Sequence, residues 1–369
     1  MFNFDYLINI FAGSNNIGER YTLNSIMSFV LDMDEIARQV KCKLIMIPLF
    51  FDNDNEYRQN RMRSLRSLNP DIRSKKTLLI LESWHVRDGI DLFELKDIFP
   101  NSTIVILSWD DKYYLQNCFY NEPEIMPGMS NVDFYLTNDL YSYNMYKNLG
   151  INSQFYISTP SESLLNMCVD NYNKYIQSKT YDVQYLTGGK GKEKKISNYR
   201  QKLIDILDKY FNTFYGNVDF NKFNKQVYIS DQIYNSLMDY KAKINIGSTN
   251  SAWSFTRSNP KGSAYYLTNR EKKINQRCQK GVKDFISPFL ETLLLIDDYD
   301  DYIKFLPNSV FPKYRFNHLD SLIELINHFL NHKEEFKDTI NKQKNFIIEH
   351  SFLRQFMYIM KHNKSLLLE

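Results

Sequence analysis

The chain has 369 residues, of which 43% are apolar and 24% are charged, and this composition excludes a protein that is disordered throughout. At roughly 150 residues per domain, the length predicts two domains. The 46 basic and 43 acidic residues leave a net charge of +3, too balanced to identify a nucleic-acid-binding protein by charge alone. No apolar run is long enough for a transmembrane helix, and the N-terminal residues favour a first strand over a signal peptide.

Short apolar runs alternate with helical stretches through the first half of the chain. The predicted strands are Tyr6–Ala12, Lys43–Leu49, Thr77–Leu81, Thr103–Ser108, Val132–Thr137 and Gln154–Ser158. Runs that are apolar throughout suit strands buried on both faces, and strands separated by helices predict a parallel sheet with helices on both sides.

The pattern breaks near Thr159-Pro160-Ser161 and begins again at Asp182. Further strands are predicted at Asp182–Leu186, Phe214–Gly216, Gln226–Ile229, Lys243–Gly247 and Leu293–Asp297. Helices are predicted at about Ser197–Phe211, Leu319–Leu330, Glu334–Glu349 and Phe352–His362. We therefore expect two α/β domains in series, at 1–165 and 176–345, followed by a helical segment at 346–369.

The cysteines are far apart and form no C-x-x-C pair, so the sequence indicates neither a zinc site nor a disulfide framework. They are Cys42, Cys118, Cys168 and Cys278. Isolated thiols are typical of a reducing compartment, and we expect buried cysteines in a cytoplasmic protein that needs no metal.

A glycine-rich loop, Gly188-Gly189-Lys190-Gly191-Lys192, lies directly after a predicted strand and before a helix. Glycines allow backbone N–H groups to approach a phosphate, and lysine adds positive charge. The loop matches neither the Walker pattern nor G-x-G-x-x-G, so a flexible basic surface loop is an equal alternative.

The pattern Phe285-x-x-Pro288-x-Leu290-Glu291, followed by a strand and an acidic turn, resembles the signature of group 1 glycosyltransferases with the GT-B fold. Phe305-Leu306-Pro307 and the helices up to His350-Ser351-Phe352 are similar as well. The order of elements from Asp182 to Ile246 resembles the spore-maturation (CgeB-like) branch. The resemblance implies two Rossmann-like domains facing across a cleft, with the C-terminal helix returning to the N-terminal domain.

The resemblance also implies the roles of several residues at a nucleotide-sugar site. Glu291 would bind the ribose hydroxyls, since a carboxylate accepts two hydroxyl donors. Basic side chains would hold the diphosphate without a metal, and the candidates are Lys190, Arg200 and Lys283. The glycine loop after the first strand adds Gly18, the loop after Asp182–Leu186 adds Gly188 and Gly189, and the segment after Lys243–Gly247 adds Ser248.

The chain departs from the family pattern at two places. Lys283 stands where the family often has an acidic residue near the donor sugar, and Thr292-Leu293-Leu294 replaces the usual small residues and glycine after the glutamate. An alternative alignment places the family glutamate at Ile286, which would leave the site without that carboxylate.

Two side chains after predicted strands are candidates for removing the proton of an acceptor hydroxyl. They are His85, the only histidine in the first 300 residues, and Asp110 in Trp109-Asp110-Asp111. A structural role is the alternative for each.

A basic cluster lies between the predicted strands Lys43–Leu49 and Thr77–Leu81. It comprises Arg58, Arg61, Arg63, Arg66, Arg73, Lys75 and Lys76. It could hold the phosphates of an acceptor such as DNA, an anionic polymer or an anionic lipid, or it could be a solvated helix face.

Together these features predict a glycosyltransferase that uses a nucleotide sugar, with UDP-sugar as the expected donor, and that retains the anomeric configuration if it follows its retaining relatives. The alternatives are a DNA-modifying glycosyltransferase acting on hydroxymethylated bases, a degenerate GT-B binding protein without catalysis, and a nucleotide-sugar epimerase.

Overall fold

A computed structural model gives the fold of most of the chain. It describes residues 2–12, 32–49, 62–63, 65–83, 90–108, 128–138, 140–157, 159–175, 179–185, 198–215, 241–247, 282–298, 305–315 and 318–363. The chain divides into two compact units, the first formed by Met1–Tyr156 with Phe352–Glu369 and the second by Ile157–Ser351.

The first unit is built on a six-stranded parallel sheet, called sheet A. Its strands are β1 (Tyr6–Ala12), β2 (Lys43–Leu49), β3 (Thr77–Glu82), β4 (Ser102–Ser108), β5 (Phe134–Thr137) and β6 (Ser153–Phe155). Their order is β2-β1-β3-β4-β5-β6, and Tyr6 lies opposite both Lys43 and Thr77. All six residues of β3 are buried, as expected for a strand inside a parallel sheet covered on both faces.

Helices connect the strands of sheet A and cover it. They are α1 (Met33–Val40), the four-residue α2 (Pro70–Arg73), α3 (Leu92–Ile98) and α4 (Leu140–Asn148). Asp91 begins α3 by accepting hydrogen bonds from the Phe93 and Glu94 backbone N–H groups, which have no partner inside the helix. Residues of α3 share an apolar core with the side chains of β1 and β3 that face it.

The last helix, α10 (Phe352–His362), belongs to the first unit although it lies at the other end of the chain. It packs against α1, and its Phe352 ring meets the Tyr156 ring edge-on at 6.1 Å. The return of the C-terminal helix to the N-terminal part of the chain agrees with the prediction.

The second unit is built on a five-stranded parallel sheet, called sheet B. Its strands are β7 (Tyr181–Gln184), β8 (Thr213–Phe214), β9 (Ala242–Gly247), β10 (Leu293–Asp297) and β11 (Lys313–Tyr314), in the order β11-β10-β9-β7-β8. Its helices are α5 (Glu162–Tyr175), α6 (Asn198–Tyr210), α7 (Val282–Ile286), α8 (Asp320–Asn331) and α9 (Lys333–Glu349). A 3-10 helix, Ser287–Leu290, continues α7 down to the start of β10.

A side chain completes the hydrogen bonding of β10. The buried Gln343 of α9 donates from Nε2 to the Leu294 carbonyl at 2.8 Å and accepts from the Leu294 N–H at Oε1 at 3.1 Å. The neighbouring strand β11 pairs only with Ile296 and Asp297, so Gln343 takes the place of a strand beside Leu294.

The observed sheets confirm the predicted fold class of two parallel α/β sheets. The limits of β1, β2, β10 and α10 agree with the prediction, whereas β11 was not predicted. The strand predicted at Gln226–Ile229 lies outside the described residues. The domain limits at 1–165, 176–345 and 346–369 stay a prediction. No helix in the described ranges is both long and apolar enough to span a membrane.

Candidate functional site

The order of the strands indicates where each unit can bind a ligand. In open α/β sheets ligands bind beyond the carboxyl ends of the strands, where the strand order reverses. In sheet A that point lies between β1 and β3, and in sheet B it lies between β7 and β9. We call the side of each sheet where its strands end the carboxyl edge, and the opposite side the amino edge.

A buried polar network links β7, β9 and the helical segment before β10. Asn245 of β9 donates from Nδ2 to Ser287 Oγ at 2.9 Å, and the same nitrogen lies 3.4 Å from Asp284 Oδ1. Ser287 Oγ in turn donates to the Asp284 carbonyl at 2.7 Å. Gln184 of β7 adds a longer contact of 3.5 Å from Nε2 to Asn245 Oδ1 and accepts from the Ala242 N–H. All four side chains are buried, so their hydrogen bonds fix their orientation.

Asp284 brings a carboxylate to the carboxyl edge of sheet B. A Cβ added to Gly247, the last residue of β9, would lie 3.4 Å from Asp284 Cγ and 3.0 Å from Leu294 Cδ1. The absence of a side chain at Gly247 therefore allows α7 to approach the end of the strand. The sequence prediction missed Asp284, Gln184 and Ser287. A detectable signal is the polar residue inside an apolar strand, as in Val183-Gln184-Tyr185 and Ile244-Asn245-Ile246.

Glu291, the predicted ribose ligand, lies at the amino edge of sheet B. It ends the 3-10 helix in a left-handed conformation with φ 51°, two residues before β10 begins, and its exposed carboxylate pairs with the Lys344 ammonium group. Its neighbour Thr292 donates to the carbonyl of Ala242, the first residue of β9. The structure therefore does not bring Glu291 to the edge that holds Asp284, and its ribose contact stays a prediction that this position does not support.

Lys179 lies at the same amino edge, just before β7. Its ammonium group donates to Thr292 Oγ1 at 2.7 Å. Burial lowers the pKa of Lys179 to about 7, although the Glu291 carboxylate opposes this shift by favouring the charged form.

Most of the predicted site residues lie outside the described residues. These are His85, Asp110, Gly18, Gly188, Gly189, Lys190 and Ser248. The backbone of Arg200 lies in the first turn of α6 and that of Lys283 in α7, one residue before Asp284. Their roles stay predictions.

The carboxyl edge of sheet A carries a row of buried polar side chains on neighbouring strands. Glu82 ends β3, Ser108 ends β4, and Thr137 ends β5, with Asn138 directly after it. Asp32, directly before α1, is buried as well. Polar residues at the ends of such apolar strands mark this edge as the candidate binding site of the first unit.

The predicted basic cluster does not occupy one edge of sheet A. Arg66 pairs with Glu94 in the first turn of α3, which follows the carboxyl end of β3. Arg73, Lys75 and Lys76 instead precede the first residue of β3, at the amino edge. Arg63 is exposed, and Arg58 and Arg61 lie outside the described residues.

Of the two described cysteines, Cys168 is buried as expected, whereas Cys42 is only partly buried. Burial raises the pKa of Cys42 to about 11 and that of Cys168 to about 12, and neither forms a disulfide. Within the described ranges, no three histidine, cysteine or acidic side chains are grouped as metal ligands.

Comparison of sequences leaves the family open. No model of a known protein family matches the chain, and no curated protein matches its sequence.

Solved structures, in contrast, match nearly the whole chain. An alpha-glucosyltransferase in complex with UDP and a 13-mer DNA containing a central A:G mismatch covers 97% of this chain and 99% of its own, with a TM-score of 0.54 and 8% identity. Sucrose-phosphate synthase from Thermosynechococcus elongatus covers 97% and 98%, with a TM-score of 0.53 and 8% identity. HepE from Anabaena, in complex with UDP and glucose, covers 96% and 98%, with a TM-score of 0.52 and 8% identity.

At this identity the similarity establishes the fold and not the activity. These neighbours have the GT-B fold, and the two parallel α/β sheets described above agree with it. The chain therefore has the GT-B fold, as the sequence predicted.

Proposed function

We propose that the protein is a glycosyltransferase that moves a sugar from a nucleoside-diphosphate sugar, with UDP-sugar as the first candidate, to an acceptor hydroxyl. The observation that carries the proposal is the match of nearly the whole chain to GT-B glycosyltransferases, two of which were solved with UDP. The second unit would bind the donor and the first unit the acceptor. The spore-maturation branch, the cytoplasmic location and the absence of a metal requirement rest on the sequence pattern alone.

Asp284 is the carboxylate that we assign to the donor site. It lies at the carboxyl edge of sheet B, beside the end of β9 and close to the point where the strand order reverses. Asn245 Nδ2 lies 3.4 Å from Asp284 Oδ1 and helps to orient the carboxylate. A carboxylate can accept several hydrogen bonds at once, which suits the two hydroxyls of a ribose. Lys190, Arg200 and Lys283 remain the candidates for the diphosphate, and the glycines and Ser248 for backbone contacts around it.

The test measures binding of UDP by calorimetry and by thermal stabilisation. UDP at a hundredfold excess over Kd is expected to add about 2.7 kcal/mol to the free energy of unfolding. Asp284→Asn removes a charged acceptor and is expected to weaken UDP binding about tenfold or more. Glu291→Gln, a matched change at the amino edge, is expected to leave UDP binding unchanged.

A comparison of two ligands tests the proposed contact between Asp284 and the ribose hydroxyls without a variant. Deoxy-UDP lacks the 2′-hydroxyl, so the wild-type chain is expected to bind it more weakly than UDP. Equal affinity for the two ligands, or loss of binding in Glu291→Gln alone, would refute the role of Asp284. If no nucleoside diphosphate stabilises the chain, the degenerate binding protein becomes the better description.

The chemistry at the acceptor rests on the sequence candidates His85 and Asp110. Along the chain, His85 comes soon after β3 and Asp110 soon after β4, and each could accept the proton of the acceptor hydroxyl. A fall in kcat of about a hundredfold or more in His85→Ala or Asp110→Asn would identify that base.

The anomeric configuration of the product decides between retention and inversion. Because one structural neighbour was solved with DNA, hydroxymethylated DNA belongs in the acceptor panel.

A further inference from the structure

Positive charge is concentrated at the amino edge of sheet A, away from the edge assigned to the acceptor. Lys41 and Lys43 lie at the start of β2, and Lys75 and Lys76 directly precede β3. Arg73 at the end of α2 joins them. We call these five residues the amino-edge patch.

Backbone hydrogen bonds hold the members of the amino-edge patch close together. The Asp5 carbonyl accepts from the Lys43 N–H at 3.0 Å, and the Asp5 N–H donates to the Lys76 carbonyl at 2.8 Å. Lys43 and Lys76 therefore flank Asp5 on the two neighbouring strands, about 10 Å apart at two strand spacings. That distance is close to the Debye length of about 8 Å at physiological salt, so their potentials add.

The charge of the amino-edge patch is not neutralised within the part of the chain that the structure describes. The four lysines are exposed, and none forms an ion pair with a described carboxylate. Acidic residues in this region include Asp5, whose Oδ2 accepts from the Lys76 N–H at 3.1 Å, and the exposed Asp71. The four exposed lysines outnumber these two carboxylates, and the patch keeps a positive field.

Two aromatic side chains lie beside the amino-edge patch. Phe2 and Phe4 are partly buried and stack on each other with centroids 6.5 Å apart, and Phe4 directly precedes Asp5 in the chain. Lysines next to partly exposed aromatic rings are suited to a lipid headgroup layer, where the ammonium groups meet anionic phosphates and the rings enter the interface.

We propose that the amino-edge patch docks the protein on a membrane surface that contains anionic phospholipid. The position favours a lipid surface over a nucleic-acid substrate, because a substrate must reach the carboxyl edge of the sheet. Four of the five patch residues are lysines. A lysine ammonium group acts as a point charge, which suits attraction to lipid headgroups, whereas arginine is preferred where a phosphate is bound through two parallel hydrogen bonds. Docking in this way leaves the carboxyl edge of sheet A pointing away from the bilayer, and it does not depend on the proposed sugar transfer.

The test is sedimentation of the full chain with sucrose-loaded vesicles. We expect binding to vesicles with 30% phosphatidylglycerol in phosphatidylcholine that falls with added salt, and no binding to phosphatidylcholine alone. The variant Lys41→Gln, Lys43→Gln, Lys75→Gln and Lys76→Gln is expected to bind at least about tenfold more weakly. The double variant Phe2→Ser and Phe4→Ser is expected to reduce the binding that remains at high salt.

A matched variant distinguishes an effect of the amino-edge patch from an effect of the net charge of the chain. Lys202→Gln, Lys209→Gln, Lys333→Gln and Lys337→Gln removes four exposed lysines of the second unit and is expected to bind vesicles as the unchanged chain does. Equal loss in the two lysine variants, or no preference for anionic vesicles, overturns the proposal. The proposal is also overturned if the chain does not bind vesicles but binds duplex DNA through the four patch lysines, because nucleic acid is then the partner. All substituted lysines are exposed, and unchanged melting curves verify that the variants fold.

Discussion

Lys179 shows how a single residue couples the stability of the fold to pH. Its ammonium group donates to Thr292 at the amino edge of sheet B, in a position where burial disfavours the charge more than Glu291 favours it. The two carboxylates of the segment before β10, Glu291 and Asp284, differ in burial and in the partner that each one contacts. Glu291 is exposed and neutralised by Lys344, whereas Asp284 is buried and oriented by Asn245.

The lowered pKa of Lys179 predicts a rise of stability with pH. Between about pH 7, the folded value, and 10.5, the ordinary value, the unfolded chain binds a proton at Lys179 that the folded chain lacks. The free energy of unfolding therefore rises across this window, by at most about 1.4 kcal/mol per pH unit for one proton. Urea denaturation at pH 7, 8 and 9 measures the slope. We expect Lys179→Met to reduce it, and the exposed control Lys209→Met to leave it; an unchanged slope in Lys179→Met would contradict the assignment.

At the scale of elements, the amide of Gln343 in α9 supplies the hydrogen bonds that the backbone of Leu294 in β10 lacks from a neighbouring strand. Gln343→Leu keeps the side-chain volume but leaves the buried N–H and carbonyl of Leu294 without their partner. We expect a loss of about 2–4 kcal/mol of folding free energy, measured by chemical denaturation. Gln39→Leu, an exposed glutamine in α1, is the control and is expected to change stability by less than about 0.5 kcal/mol. Equal effects of the two substitutions would show that the Leu294 hydrogen bonds are dispensable.

How far sequence predicts an element depends on whether its signal is local. The strands β1, β2 and β10 were predictable because their apolar runs are continuous and bounded by polar residues, and α10 because its apolar face repeats with a helical period. The two-residue β11 has no period to detect. The helical segment runs only from Val282 to Leu290. Glu291, the predicted ribose ligand of the F-x-x-P-x-L-E pattern, therefore comes after its end, close to the start of β10.

The candidate site was less predictable than the fold, for a physical reason. The carboxylate Asp284 gains its position from contacts with Asn245, 39 residues earlier, and with Gly247 at the end of β9. Such long-range packing leaves no pattern near Asp284 in the sequence. The resemblance therefore led to the right fold class and the neighbouring residue Lys283, and it did not single out Asp284.

At the scale of the whole molecule, the two units have different chain paths. The second unit is one continuous segment, whereas the first is formed by two segments at opposite ends of the chain. The closing segment, α10, buries five apolar side chains, Phe352, Leu353, Phe356, Met357 and Met360. The first unit therefore depends on residues that follow the entire second unit.

This dependence predicts a local effect of a distant substitution. Phe356→Ala in α10 is expected to cost about 3–5 kcal/mol, because it creates a cavity in a buried site. Hydrogen exchange would show the loss in α1 and the strands of sheet A and leave sheet B protected. Tyr358→Ala, at a side chain that is 63% exposed on the same helix, is the control. Equal deprotection of both sheets would contradict the division into two units.

The path of α10 also sets an order of events during synthesis. A ribosome releases all of Ile157–Ser351 before it releases the helix that completes the first unit. The N-terminal strands of sheet A, although translated first, therefore lack the apolar contacts of α10 until the whole second unit has been translated. In the nascent chain, the order of folding is therefore the reverse of the order of translation: the second unit can close first, and the first unit closes last.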